Sequence, residues 1–403
     1  MKLFLLDTLT ERELLSEIDR IGADRRSFPY FSSKGETLLA SAKGLDVRAA
    51  NALKQEMLSR GGDIIVHRRT IDCGVPETDA LLIGTPGQFT RLLEKLSAMP
   101  YWGLAEFRTA LSTALRNSRR RSWTLSLANS RKLPLGTNTR VMGIVNVTED
   151  SFYAQSRRLE RDDAIRAAMT HFEDGADLVD IGGESTRPGA ADLPPEEEMT
   201  RLVPVIAEIR RLHPEGILSV DTRKALVAQA AADAGADIVN DVSGLRFDPD
   251  MAKTVSRLGV PVILMHSRKT PGTMQESPAY DDVVAEVWEE LETAVENAVR
   301  EGIGRESIIL DPGLGFAKNA DHNLSLIKHM RAFATLGRPL LIGHSRKSTI
   351  GRVLSLPSPT DRLEGTLAIT ALCAWRGVPL VRVHDVKENV RVVRMINAVR
   401  NAS

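Results

Sequence analysis

Residues 161–183, RDDAIRAAMTHFEDGADLVDIGG, combine a helical pattern with a strand pattern. Apolar residues recur at helical spacing up to Gly175, and glycine is the residue that commonly follows the end of a helix. The run LVDIGG at 178–183 then has the length and apolar content of a buried strand. A second apolar run, VMGIVNV at 141–147, precedes the helix. This order predicts a strand–helix–strand unit.

The same alternation continues towards the C-terminus. Apolar runs follow one another from about Arg140, at 141–147, 178–183, 217–222, 238–244, 261–266, 307–313, 339–345 and 380–386. Helical patterns lie between them, and further helices are expected to end at Gly235, Gly302, Gly337 and Gly377. Eight consecutive units match a (β/α)8 TIM barrel, which needs roughly 250 residues. We therefore predict a TIM barrel over residues 139–403. A doubly wound open sheet is the alternative, but it usually has fewer strands.

The first 115 residues predict a smaller α/β domain, and the sequence does not indicate its role. Strand patterns occur in LFLLD, DIIVH and DALLIG, and helical patterns in TERELLSEIDRIG, DVRAANALKQEMLSRGG, GQFTRLLEKLSAM and LAEFRTALSTAL. A polar, basic stretch follows at 116–138, with cations at Arg116, Arg119, Arg120, Arg121, Arg131 and Lys132. We predict that this stretch is a linker with at most one short strand.

Composition excludes several classes of protein. The chain has 403 residues, 42% of them apolar, so it can bury a large core and is not expected to be disordered. Its 53 basic and 53 acidic side chains give no net charge, which argues against a nucleic-acid partner. Two cysteines are too few for a disulfide framework or a cysteine zinc site and favour a reducing compartment. No signal peptide or membrane-spanning run is evident, so we expect a cytoplasmic protein without a membrane partner.

Polar residues recur at the C-terminal ends of the predicted barrel strands. They are Asn146, Glu184, Asp221, Asn240, Asp241, His266, Asp311, Ser345, His384 and Asp385. In a TIM barrel these strand ends share one rim, where barrel enzymes place their catalytic residues. A single Asp or Asn at such a position is more often a cap or a turn residue. Recurrence in nearly every unit favours a functional site.

The barrel segment resembles dihydropteroate synthase. The resemblance rests on MGIVNVTEDSF (142–152), DIGGESTRPGA (180–190), SVDTRK (219–224), NDVSG (240–244), MH (265–266), GTMQ (272–275), DPGLGFAKN (311–319), GHSRKS (343–348) and RVHDV (382–386). It implies condensation of 6-hydroxymethyl-7,8-dihydropterin diphosphate with p-aminobenzoate to give dihydropteroate and diphosphate. Two alternatives are a pterin-binding methyltransferase barrel and a dihydropteroate synthase homologue with altered substrates.

The chemistry of a pterin suits five of these residues. Asp311 can accept hydrogen bonds from adjacent N–H groups of the amino-pyrimidinone edge, and Asn240 and Asp221 can pair with the rest of that edge. Asp221 is also a candidate for stabilising the cation that forms when diphosphate leaves. Lys347 is expected over the carbonyl side of the ring, and Arg382 can stack on the ring and reach an anion.

Diphosphate needs cations and hydrogen-bond donors, and Arg382, His384 and the amide of Asn146 are expected to converge on it. The resemblance places Asn146 at the position of a Mg2+ ligand. A side-chain carbonyl oxygen is a suitable ligand for an ion that usually keeps several waters.

The resemblance assigns p-aminobenzoate binding to two strand-end loops and to the seventh strand end. The corresponding residues are Phe152, Thr186, Arg187, Pro188, Phe316 and Ser348, with Lys347 near the benzoate. Hydroxyl groups suit its carboxylate, and Phe and Pro suit its ring. A homodimer formed through the last helices is also implied by the resemblance.

The first loop, NVTEDSFYAQSRR, departs from the family pattern. Glu149 replaces a proline, Ala154 replaces an aspartate, and a glycine pair is absent. Loss of the glycines is expected to stiffen the loop. A second departure is His344, at a position where apolar residues are commoner in the family.

Overall fold

A computed structural model describes residues 3, 11–136, 138–147, 154–184, 193–268 and 279–402. The chain forms two compact units, one up to Arg116 and one from Asn117 to Ala402. Within the described ranges no helix is both long and apolar enough to cross a membrane.

The N-terminal unit is a small α/β fold, as predicted. Its helices are α1 (Glu11–Ile21), α2 (Phe28–Phe31), α3 (Val47–Leu58), α4 (Pro86–Leu96) and α5 (Leu104–Ser118), and its strands are β1 (Leu38–Asp46), β2 (Asp63–Val66) and β3 (Glu77–Gly84). The strands form an antiparallel sheet in the order β1-β3-β2. Leu53, Leu82 and Phe89 are fully buried in its core.

One strand of this unit was not predicted, and one prediction falls outside the described residues. Strand β1 has the sequence LLASAKGLD, in which small residues such as Ala40 and Ala42 take the more buried positions. Because alanine gives little contrast with Ser and Lys, the alternation is weak in the sequence. The predicted strand LFLLD lies almost wholly outside the described residues.

The basic segment after α5 contains a β-hairpin. Strands β4 (Trp123–Ser126) and β5 (Lys132–Leu135) pair antiparallel, where at most one short strand was expected. Every second residue is buried, and the Trp123 indole N–H donates to the carbonyl of Gly337 over 3.0 Å. Arg119, Arg120, Arg121 and Lys132 are exposed, whereas Arg131 pairs with the buried Asp237. The hairpin itself belongs to the second unit.

The second unit is the predicted barrel. Its strands are β6 (Arg140–Asn146), β7 (Leu178–Gly182), β8 (Leu218–Asp221), β9 (Ile238–Asp241), β10 (Val262–Met265), β11 (Ile308–Asp311), β12 (Leu341–Ile342) and β13 (Leu380–Val383). Its helices are α6 (Ala154–Glu173), α7 (Pro195–Leu212), α8 (Ala225–Asp233), α9 (Met251–Leu258), α10 (Val283–Arg300), α11 (Ala320–Lys328), α12 (Ser348–Leu354), α13 (Leu363–Arg376) and α14 (Val386–Asn401).

The eight strands form a parallel and nearly closed sheet, which confirms the TIM-barrel prediction. The strand order is β11-β10-β9-β8-β7-β6-β13-β12, and an isolated bridge between Leu310 and Leu340 joins the two edges. The glycines predicted to end helices all have positive φ angles, namely Gly175, Gly235, Gly302, Gly337 and Gly377.

The barrel interior has an apolar lower layer. It consists of Met142, Leu178, Ile238, Ile263, Ile309, Leu341 and Leu380, which pack with the hairpin residues Trp123, Leu125, Leu127, Leu133 and Leu135. The hairpin therefore closes the N-terminal end of the barrel. Side chains two residues apart on a strand share a face, so the next layer towards the C-terminal rim contains Asp180, Asn240, Asp311 and Arg382.

We expect Leu125→Ala to lower the free energy of unfolding by about 2–5 kcal/mol, because it leaves a cavity in this closed end of the barrel. Leu125 is 0% exposed. Thr124→Ala changes an exposed neighbour on the same strand and should have almost no effect. Urea unfolding followed by circular dichroism measures both. Equal stability of the two variants would contradict a structural role for the hairpin.

Candidate active site

Three charged side chains from different strands meet inside the C-terminal end of the barrel. The guanidinium of Arg382, on β13, donates from Nε to Asp180 over 2.5 Å and from Nη2 to Asp221 over 2.7 Å. Asp180 lies on β7 and Asp221 ends β8. Asn240, on β9, donates from Nδ2 to the same Asp180 oxygen over 2.9 Å. The arrangement fixes the guanidinium plane and the orientation of the amide.

Burial controls the charge state of this cluster. It raises the pKa of Asp221 to about 7, while Arg382 acts to lower that pKa and Asp180 acts to raise it. Burial also disfavours the charge on Arg382, but Asp180 and Asp221 outweigh this effect and raise the pKa of Arg382. A carboxyl group with a pKa near neutrality beside a fixed cation is typical of functional sites.

A second charged region, formed by Asp311 and Lys347, lies beside the first. Burial raises the pKa of Asp311, and the charge on Lys347 opposes that change. Asp311 Oδ1 accepts the N–H of Gly313 over 2.7 Å, which leaves Oδ2 available to a ligand. Lys347 donates from Nζ to the carbonyl of Leu314, and Nζ lies 4.6 Å from the ring centroid of Phe316. Burial lowers the pKa of Lys347 to about 8.

The loop after β11 depends on a buried lysine. Lys318 Nζ lies 2.8 Å from Nδ1 of His266 and donates to the carbonyls of Gly313 and Phe316 over 3.1 and 3.0 Å. His266 Nε2 is 3.0 Å from a carboxylate oxygen of Glu290. Gly313 has a φ of +68°, and a Cβ there would lie 1.9 Å from the His266 carbonyl oxygen, so the turn requires glycine.

The loops after β12 and β13 are joined by side-chain hydrogen bonds. Arg346 donates from Nε to Asp385 over 3.0 Å, and His384 contacts Ser345. The buried His344 lies 2.8 Å from Thr370 Oγ1 through its Nε2. Thr370 in turn donates to Asn389 Oδ1, and the Asn389 amide donates to the carbonyl of Asp385, over 2.6 Å in each case. The unusual histidine of the GHSRKS motif thus has a structural role.

Several polar residues at the rim are structural rather than available to a ligand. Asp241 accepts the N–H groups of Ser243 and Leu245 over 2.7 and 2.9 Å and shapes the turn after β9. Glu184 accepts the N–H of Leu193 over 3.0 Å and pairs with Lys224 over the same distance. His266 and Asp385 belong to the loop contacts described above. These residues act as the caps and turns that single Asp residues commonly form.

The structure brings five predicted residues together: Asp221, Asn240, Asp311, Lys347 and Arg382. His384 lies at the end of the strand that carries Arg382, and Asn146 ends β6 with an exposed side chain. Phe316 lies under the Lys347 ammonium, and Ser348 is exposed at the first position of α12. The other p-aminobenzoate residues, Phe152, Thr186, Arg187 and Pro188, lie outside the described residues, as does the altered Glu149.

Sequence reasoning missed Asp180 and Lys318. Asp180 is 0% exposed, and its Oδ1 is buried without a hydrogen-bond partner in the described part of the chain. A charged residue within the apolar run LVDIGG could have identified it, because Asp180 shares a strand face with Leu178 and Gly182 and must be buried with them. Lys318 follows a loop rather than a strand, and only the folded loop brings carbonyl groups to its ammonium.

The described residues contain no group of three or more His, Cys, Asp or Glu side chains that could hold a metal ion. The predicted Mg2+ ligand, Asn146, has one neutral side-chain oxygen and lies at the end of β6. The pocket carboxylates Asp180 and Asp221 are already paired with Arg382.

The sequence profile of the pterin binding enzymes matches residues 142–384, which contain all five of the converging residues. The chain belongs to this family. A dihydropteroate synthase from Escherichia coli is 43% identical over 262 residues, which cover 65% of this chain and 92% of the relative.

Solved structures of Xanthomonas albilineans dihydropteroate synthase share the barrel. A structure with 4-aminobenzoic acid has a TM-score of 0.64 and 41% identity and covers 70% of this chain and all of the other. A structure in complex with 7,8-dihydropteroate has a TM-score of 0.61 and 38% identity over 70% of this chain and 99% of the other. The barrel is therefore that of the dihydropteroate synthase family.

The N-terminal unit has relatives too. A probable bifunctional folylpolyglutamate synthase/dihydropteroate synthase from Haloferax volcanii is 43% identical over 361 residues, or 88% of this chain. A match of that length exceeds the second unit and extends into the first. The chain spans only 42% of that relative.

We expect Asp180→Asn to weaken pterin binding by about tenfold or more, because it removes the negative charge that orients Arg382 and replaces one carboxylate oxygen by an NH2 donor. Loss of one partner of a buried ion pair should also lower the free energy of unfolding by about 3 kcal/mol. Asp250→Asn, at an exposed residue without a capping bond, is the matched control. Calorimetric titration with a pterin and urea unfolding measure these effects. Identical behaviour of the two variants would show that Asp180 does not position the site.

Proposed function

We propose that this protein is a dihydropteroate synthase. It would join the amine of p-aminobenzoate to the methylene carbon of 6-hydroxymethyl-7,8-dihydropterin diphosphate and release diphosphate. The observation that carries the proposal is the convergence of Asp221, Asn240, Asp311, Lys347 and Arg382 in one buried pocket at the barrel rim. Together these residues offer the acceptors, donors and charges that a pterin and a leaving anion require.

The pocket supplies complementary groups for the pterin edge. Asp311 Oδ2 would accept N–H groups of the amino-pyrimidinone. Asn240 donates to Asp180 through its Nδ2, so its Oδ1 acceptor would be available to the ligand. Lys347 would exchange its hydrogen bond to Leu314 for the pterin carbonyl. Unpaired polar groups in such a pocket are costly, so a ligand without these groups would bind poorly.

Asp221 and Arg382, which contact each other, would act on different parts of the reacting substrate. As the carbon–oxygen bond breaks, its electron pair leaves with diphosphate, and positive charge grows on the pterin methylene. The Asp221 carboxylate stabilises that charge, and Arg382 stabilises the departing anion. The amine of p-aminobenzoate then forms the carbon–nitrogen bond and loses a proton to solvent.

The described residues fit Mg2+ as an ion that arrives with the diphosphate. Asn146 offers one amide oxygen, and diphosphate oxygens and waters would complete the coordination that Mg2+ prefers. The bound ion would partly neutralise the negative charge of the leaving diphosphate. Arg382 and His384 would bind the same diphosphate through their N–H groups.

For p-aminobenzoate, the described residues Phe316 and Ser348 offer a ring surface and a hydroxyl next to Lys347. Thr186, Arg187, Pro188 and Phe152 are proposed to complete the site through the resemblance to the family. A reducing, cytoplasmic location also remains a proposal, supported by the two free cysteines, Cys73 and Cys373.

A homodimer through the last helices is a further part of the proposal. Helices α13 and α14 expose large apolar side chains, namely Leu372, Trp375, Met395 and Val399, and Trp375 is 54% exposed. Exposed apolar side chains that cluster on one face favour a protein interface.

We expect Asp221→Ala and Lys347→Ala to reduce dihydropteroate formation and diphosphate release at least about a thousandfold, because each removes a charge that contacts the reacting substrate. The assay uses the full chain with Mg2+, dihydropterin diphosphate and p-aminobenzoate. Lys328→Ala and Asp250→Ala, at exposed helix positions, are the controls and should retain wild-type rates. Undiminished turnover in both site variants would refute their roles, and an inactive wild-type chain would refute the proposed function.

The pH dependence of kcat/KM should be bell-shaped. Activity should rise as Asp221 loses its proton near pH 7, and fall as Lys347 loses its proton near pH 8. Lys347→Arg keeps a permanent cation, so any activity it retains should lack the alkaline fall. Initial rates between pH 5 and 10 provide the measurement. An alkaline limb that is unchanged in Lys347→Arg would assign it to another group.

A further inference from the structure

Ser345 and His384 lie side by side at the ends of neighbouring strands. Strands β12 and β13 pair through Leu341 with Leu380 and Ile342 with Val381, so the loops that follow them are adjacent. Ser345 Oγ accepts the backbone N–H of His384 over 3.2 Å and lies 3.0 Å from Nδ1 of the same histidine. Ser345 is 5% exposed, so its hydroxyl has little access to water.

The surroundings of the His384 ring favour its neutral form. Burial is the main cause that lowers its pKa to about 4. The nearby cations Arg382 and Arg346 and the ring of His171 lower this pKa further, and Asp385 raises it. Asp385 is itself paired with Arg346. A neutral imidazole carries one proton, on either Nδ1 or Nε2.

Counting donors and acceptors decides between the two tautomers. A serine hydroxyl has one proton and two lone pairs. If Nδ1 carried the ring proton, Ser345 would accept two N–H groups, and its own proton would need another acceptor. No other partner of this hydroxyl exists among the residues that the structure describes. If Ser345 donates to Nδ1 instead, the hydroxyl, the backbone N–H and Nδ1 are all satisfied, and the ring proton is on Nε2.

We propose that Ser345 is a positioning residue that keeps His384 in the Nε2–H tautomer, so that a neutral N–H donor is available to the leaving diphosphate. The inference rests on the proposed function, which places diphosphate at His384. In the described part of the chain Nε2 has no hydrogen-bond partner, so the donor is free for a ligand. A neutral donor needs no proton uptake and keeps its role throughout the neutral pH range.

Nitrogen NMR of the full chain tests the tautomer directly. The protein is labelled with 15N-histidine, and His384 is assigned among the eight histidines by its loss in His384→Gln. We expect an unprotonated Nδ1 and a protonated Nε2 in the wild type. Ser345→Ala should shift both signals towards a mixture of tautomers, and Ser345→Thr, which keeps the hydroxyl, should restore the wild-type signals.

Ser219→Ala is the matched control, because it also removes a buried serine hydroxyl from the barrel. Unlike Ser345, Ser219 has no side-chain hydrogen-bond partner among the described residues. It should leave the His384 signals unchanged. A protonated Nδ1 in the wild type, or an unchanged tautomer in Ser345→Ala, would overturn the proposal.

Calorimetric titration with diphosphate and Mg2+ tests the consequence for binding. We expect Ser345→Ala to bind about tenfold more weakly than the wild type, and Ser345→Thr to bind within about twofold of it. If the tautomer changes in Ser345→Ala but the affinity does not, the positioning role is refuted. If His384→Gln binds diphosphate as tightly as the wild type, the diphosphate assignment fails, and the NMR result still decides what Ser345 does.

Discussion

The contact of Arg382 with Asp180 and Asp221 is the interaction on which the site depends. Removing charges from water is costly, and in a buried ion pair good geometry and additional hydrogen bonds offset that cost. Here the Arg382 guanidinium donates from one nitrogen to each carboxylate. The Asp180 oxygen that it contacts also accepts a hydrogen bond from Asn240. Because the three charged residues come from β7, β8 and β13, the part of the sheet from β8 to β13 must assemble before Arg382 reaches either carboxylate.

The closed lower end of the barrel makes this arrangement possible. The hairpin β4–β5 and the apolar layer above it exclude water from the base of the polar layer. Electrostatic interactions are stronger in such an environment, so the same burial that raises the pKa of Asp221 also strengthens the attraction between a carboxylate and a developing cation. The apolar, closed end of the barrel thereby influences the pKa values and charge interactions of the residues at the rim.

Hydrogen bonds within and between the strand-end loops hold the rim residues in place. Lys318 fixes the turn that carries Gly313 and Phe316, and Ser345 and Arg346 connect the GHSRKS loop to the RVHDV loop. Rim residues therefore divide into those that contact the proposed substrates and those that hold the loops. Asp221 and Asp241 illustrate the division, since both end barrel strands, yet Asp241 accepts backbone N–H groups of its own turn.

The sequence by itself determined the barrel and most of the proposed pterin site. Apolar runs of strand length, glycines at helix ends and polar residues after each run are local signals, and parallel strands bring those ends to one rim. Only the tertiary structure decided which polar residues are free. Asp180 and Asp311 have similar apolar neighbours in the sequence, but the first pairs with Arg382 from a distant strand and the second keeps an oxygen open. The hairpin was equally hidden, because the arginines that precede it suggested a polar linker. Its alternating Trp and Leu residues are buried only because the end of the barrel packs against them.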